Sequence, residues 1–100
     1  MARLNVTEKL IQSGAKNENT VLNLAYRKAS EFFEDAAYLV NENFCAIINA
    51  LYKQNHKSLT FENIARHNGL SLSKLNRFRK SFIKLFIRYT ARLSEQQNAA

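Results

Sequence analysis

Phe61-Glu62-Asn63-Ile64-Ala65-Arg66-His67-Asn68-Gly69-Leu70-Ser71-Leu72-Ser73-Lys74-Leu75-Asn76-Arg77-Phe78 is the stretch that decides how this chain folds. Thr60, just before it, offers a side-chain oxygen to cap a helix, and Leu59 and Ile64 have the spacing of a hydrophobic staple. The helix that begins at Phe61 runs to about His67. Asn68-Gly69 stops it, because glycine enters the left-handed region without a Cβ penalty. Ser71 caps a second helix. Ala65 is small where the two helices cross, Leu70 buries in the corner, and Leu75 and Phe78 face Ile64 from the second helix. The expected unit is two helices joined by a tight turn, with the second helix's N-terminus pointing outward.

That second helix is expected to run from Leu72 to Leu93, 22 residues and about 33 Å at 1.5 Å per residue. At 100° per residue, Leu75, Phe78, Phe82, Leu85, Phe86 and Tyr89 cluster on one side. Ser73, Arg77, Lys80, Lys84 and Arg88 cluster on the other. Ile83 and Ile87 add a second apolar patch. Glu95 to Ala100 reads as a frayed polar tail.

Upstream, Phe44, Ile47, Ile48, Leu51 and Tyr52 line a helix from about Phe44 to Gln54, followed by a loop at Asn55–Ser58. Asn41-Glu42-Asn43 breaks or bends the chain. Before it lies a long amphipathic helix over 20–40, capped by Thr20 or Asn19. Its apolar stripe holds Val21, Ala25, Ala29, Phe32, Ala36 and Leu39, widened by Leu22, Phe33 and Val40. A short helix over Val6–Gln12 is expected to end at Gly14, with Ala15–Asn19 as a polar linker. The expectation is one all-α domain: helix and linker over 1–19, a packing or dimerisation helix over 20–40, a three-helix unit over 43–93 and a tail over 94–100.

Composition supports helices over strands. The chain has 100 residues, no proline and two glycines, too few turn formers for a strand-and-turn fold. One cysteine excludes an internal disulfide framework. The N-terminus lacks the apolar core of a signal peptide, and no apolar run reaches the roughly 18 residues a membrane span needs. A cytoplasmic protein with no membrane partner is expected. Charge is uneven. Residues 1–52 carry five Lys or Arg against six Asp or Glu, a net −1, whereas residues 53–100 carry ten against two, a net +8. Such asymmetry points to a polyanion at the C-terminal half.

These residues resemble the helix-turn-helix superfamily of DNA-binding regulators. The run Leu59 to Ala65, then Gly69-Leu70-Ser71, then Leu75 and Phe78, is similar to the motif of AraC-type and TetR-type bacterial regulators. The resemblance covers about residues 44–82. TetR-type chains carry the unit at their N-terminus and AraC-type domains carry two, whereas here one lies in the C-terminal half. The resemblance implies a helix that enters the major groove of double-stranded DNA. Ser71, Leu72, Ser73, Asn76 and Arg77 would then approach base edges, with Arg77 suited to guanine, Asn76 to adenine and Leu72 to a thymine methyl. Lys80, Lys84, Arg79 and Lys57 would hold phosphates, and Lys74 belongs to the same DNA-binding set. The N-terminus of the helix at Leu72 adds its own attraction for a phosphate. The expected function is a small prokaryotic, phage or plasmid transcription regulator, nucleoid-associated and homodimeric. The alternative is a helical adaptor or inhibitor whose basic face binds an acidic protein.

Other chemistry-bearing residues read as ordinary. Cys45 lies in an apolar helical stretch and suits a buried inert thiol. His56 and His67 have no clustered ligands beside them for a metal. The seven Glu fall mostly on exposed helical phases. No phosphate-binding glycine loop and no catalytic carboxylate pair stands out, so neither an enzyme nor a cofactor is expected.

Overall fold

A computed structural model describes residues 4–35, 44–53 and 60–98 of the chain. They form five α-helices and one π-helical turn, with no strand among the described residues. The helices are α1 (Val6–Lys16), α2 (Val21–Asp35), α3 (Phe44–Ile48), α4 (Phe61–His67) and α5 (Leu72–Asn98). The π turn, Asn49–Lys53, continues α3. The expected breaks at Asn41–Asn43 and Asn55–Ser58, the staple residue Leu59, the end of the 20–40 helix, and the side chain of Cys45 lie outside the described residues.

Asn5 caps α1 by accepting the backbone N–H of Glu8 at 2.8 Å, while the Glu8 carboxylate reaches back to the Asn5 N–H at 3.3 Å. This reciprocal capping box satisfies two donors that a helix start otherwise leaves open. The helix does not stop at Gly14, as expected from the sequence, but continues to Lys16. Gly14 instead marks a close crossing with the start of α2. A Cβ placed there would meet the Leu22 carbonyl oxygen at 2.6 Å and its carbon at 2.8 Å. The buried Asn23 amide donates to the Gly14 carbonyl at 2.8 Å across that crossing. The link to α2 is a short turn in which Asn19 takes φ 68°, a conformation asparagine tolerates better than most side chains.

α1 packs on α2, and α2 packs along α5 through Ala25, Tyr26 and Ala29, all buried. Small residues at 25 and 29 let the two helices approach. Phe82 on α5 sits at the centre of the core, 0 % exposed. Tyr26 meets it edge-on at 6.0 Å between ring centroids, and Tyr52 from the π turn stacks on it at 5.7 Å. Burying one such aromatic side chain contributes roughly 1.5–3 kcal/mol relative to leaving it in water. The π turn is underwound and gains a residue over an α-helical turn. It brings both Leu51 and Tyr52 inward.

The corner at 60–72 forms as the sequence predicts. The Thr60 hydroxyl accepts from the Asn63 N–H at 3.1 Å, Gly69 takes φ 68°, and the Ser71 hydroxyl accepts from the Lys74 N–H at 3.2 Å. The Asn68 side chain donates to the Ile64 carbonyl at 2.8 Å, and the Leu70 N–H donates to the Ala65 carbonyl at 2.8 Å. These bonds satisfy carbonyls at the end of α4. α5 outruns its expected end at Leu93 and absorbs most of the polar tail, reaching Asn98. Its 27 residues span about 40 Å, most of the molecule's 46 Å long dimension.

Candidate nucleic-acid interface

The buried face of α5 is Leu75, Phe78, Phe82 and Phe86, with Leu85 and Tyr89 half-buried beside them. The opposite face carries Ser73, Arg77, Lys80, Lys84 and Arg88, all exposed. The corner geometry fixes this outcome. With Leu75 and Phe78 buried in the core that also holds Ile64 and Ala65, the 3.6-residue repeat must turn positions 73, 77, 80 and 84 away from the protein. No carboxylate occurs between Arg77 and Arg88 in the sequence. The ridge therefore presents four exposed cations with no carboxylate interleaved among them, over 11 residue steps, about 16 Å of helix.

At the start of α5, Ser71, Leu72, Ser73 and Lys74 are exposed, Leu72 by 39 %. Ser71 carries both an outward position and the capping bond. A shallow cleft of about 410 Å³ opens beside this end, lined by Thr60, Phe61, Glu62, Leu72, Asn76 and Arg79. Asn76 is half-buried in it. Lys57 and His56 lie outside the described residues, and His67 is exposed at the end of α4.

Arg79 occupies a different place from its basic neighbours. Its side chain is 15 % exposed and faces the protein. Nε donates to Glu8 Oε2 at 2.8 Å, Nη2 donates to Glu8 Oε1, and Nη1 donates to Asn76 Oδ1 at 3.0 Å. The guanidinium carbon lies 3.7 Å from the centroid of the Phe61 ring. Glu8 is 0 % exposed, and its Oε2 also accepts from the Tyr52 hydroxyl at 2.9 Å. Burial foremost, and then the Glu8 carboxylate, push the Tyr52 phenol far above its ordinary range. Burial alone would lower the Arg79 pKa, but hydrogen bonds to Glu8 and its charge outweigh that and raise it. Arg79 is thus committed to a buried pair that joins α1, the π turn, α4 and α5. That commitment competes with the phosphate contact expected of it, and Glu8 departs from the exposed phase expected of a glutamate.

A helical projection holds the signal for Arg79. Counted from Ser73, its phase is about 240°, only about 60° from Phe82 and well off the basic ridge. Locally Glu8 is marked only as a capping-box partner of Asn5, because the partners that bury it, Tyr52 and Arg79, lie 44 and 71 residues away. Among the described residues no group of three His, Cys, Asp or Glu side chains could hold a metal ion, and no helix is long and apolar enough to cross a membrane. No family model matches the sequence, and no curated protein or solved structure is significantly similar to it.

Proposed function

We propose that this chain is a double-stranded DNA-binding protein and that the first turns of α5 enter the major groove. The observation that carries this reading is the outward ridge of Arg77, Lys80, Lys84 and Arg88, free of interleaved carboxylates, on the helix that follows a tight corner. A groove about 12 Å wide admits one helix. Ser73 and Arg77 then face base edges, while Lys80 and Lys84 lie against flanking phosphates. Only the first two or three turns of a helix about 40 Å long can lie against bases, so Arg88 and Arg92 serve the outer backbone. The same reading makes the protein a transcription regulator acting as a homodimer on two half-sites.

Fluorescence anisotropy with random-sequence duplex DNA at several salt concentrations tests it. Each phosphate neutralised adds about 0.9 to the slope of log affinity against log salt. The double variant R77A/K80A is expected to lower that slope by about one contact's worth, from Lys80, and to weaken binding strongly through the loss of both residues. Binding indifferent to both residues, or none at low salt, refutes the reading and directs the search to an acidic protein partner. Sedimentation of a monomer both free and on DNA would remove the dimer alone.

A further inference from the structure

We infer that Arg79, held in place by Glu8, sets the hydrogen-bonding polarity with which Asn76 meets a base. Asn76 would read DNA as a donor, through its amide NH2, and would select an acceptor edge such as that of guanine. This rests on the DNA-binding reading above and goes beyond it to specificity.

The chemistry is unambiguous about which amide atom faces inward. A guanidinium carries five N–H donors and no acceptor. The Asn76 atom 3.0 Å from Arg79 Nη1 is therefore the carbonyl oxygen. Arg79 cannot easily swing aside to release it. Nε and Nη2 are spent on the two oxygens of Glu8, and the flat face lies on Phe61. Glu8 is itself fixed by the Tyr52 hydroxyl and the Asn5 backbone N–H. With the oxygen turned to Arg79, the amide nitrogen is the end of Asn76 left to a ligand. The familiar pairing of asparagine with adenine needs both ends, the oxygen accepting from N6 and the nitrogen donating to N7. Guanine presents N7 and O6, two acceptors, and suits a donor alone. On this inference Asn76 selects guanine in place of the adenine expected from the sequence, because Arg79 occupies one lone pair of the amide oxygen and holds it turned inward. Glu8 and Arg79 are positioning residues, and they act on recognition through Asn76.

The test is selection from a randomised duplex pool by the full chain, using wild type, N76A, R79K and E8Q. The base pair beneath Asn76 is the position whose preference N76A loses. Wild type is expected to favour guanine over adenine there by about tenfold, within the range of one good base contact. R79K keeps a cation opposite Glu8 but lacks the fork that also reaches Asn76. It is expected to shift that position, and no other, towards adenine. E8Q turns an amide donor towards the guanidinium and is expected to shift it the same way. Circular dichroism melts check that each variant folds, and either folded variant suffices. Adenine at that position in wild type, a preference unmoved in the folded variants, or no position sensitive to N76A overturns this inference and leaves DNA binding standing. Enrichment of no sequence by wild type overturns sequence-specific reading and this inference together.

Discussion

Arg77 and Arg79 stand two residues apart on α5 and live in different solvents. Arg77 is exposed on a ridge of like charges, whereas Arg79 is 15 % exposed and wrapped by Glu8, Asn76 and the Phe61 ring. Of the seven Lys and Arg on this helix, Arg79 is the one turned inward. The contrast teaches that counting cations along a basic helix overstates what it offers a polyanion. Phase and partner decide. The outer face keeps charge available, and the inner face uses one charge to hold four elements together.

The sharpest way to break this comparison is to truncate each arginine. R79A leaves the Glu8 carboxylate buried without its cation, which costs about 3–5 kcal/mol. R77A removes an exposed side chain and should stay within about 0.5 kcal/mol. Urea denaturation measures both. Equal losses would mean that the inner pair is no more than a surface contact.

The next effect tests how Glu8 reaches Arg79 at all. α1 sits against α2 because Gly14 has no Cβ to strike the Leu22 carbonyl. G14A gains helix propensity yet is expected to destabilise by about 1–3 kcal/mol through overpacking. It should also loosen the Glu8 pair while leaving the ridge untouched. Thermal melts read the first effect, and the Arg79 side-chain Nε–H resonance reads the second.

The inner face also carries a phenol whose titration is shifted by folding. Tyr52 has a folded pKa raised above its unfolded value of about 10. The unfolded chain therefore loses this proton first as pH rises. Stability from this group is complete below about pH 10 and falls above it by up to about 1.4 kcal/mol per pH unit. Denaturation curves from pH 8 to 11 should show the decline in wild type and a smaller one in Y52F.

The smallest effect concerns the corner that aims the ridge. Gly69 has φ 68°, but a Cβ there would meet nothing within 4 Å. G69A should cost only the left-handed strain, about 1–2 kcal/mol at most, and G69N less. A larger loss would mean that the corner is packed more tightly than the open space implies.

The sequence carried the corner almost residue by residue, because every determinant there is local. Thr60, Gly69 and Ser71 cap or turn their own neighbours, and Leu75, Phe78 and Phe82 repeat with the helical period. All six have the roles expected of them. Gly14 was misread because a glycine near a helix end serves equally as a stop or as a crossing point, and only the backbone of Leu22 distinguishes them. α5 passed its expected end because Ser94-Glu95-Gln96-Gln97 contains polar residues but neither glycine nor proline. Glu8 was hidden for a different reason. A capping-box glutamate and a buried ligand for arginine look identical until a contact 71 residues distant is made. The outward ridge was legible, but the orientation of Asn76 depends on that same distant contact.

The Glu8–Arg79 link also bears on the order in which the molecule assembles. The corner from Thr60 to Phe82 closes over short spans and forms a nucleus at little entropic cost, whereas the α1 link must close a segment of 71 residues. It is expected to be absent from the rate-limiting transition state. E8Q should then speed unfolding and leave the folding rate almost unchanged, with a Φ value near 0 in stopped-flow chevron plots. On this view the buried pair is a latch that governs how long the native state lasts once formed, while the corner governs how fast it is reached.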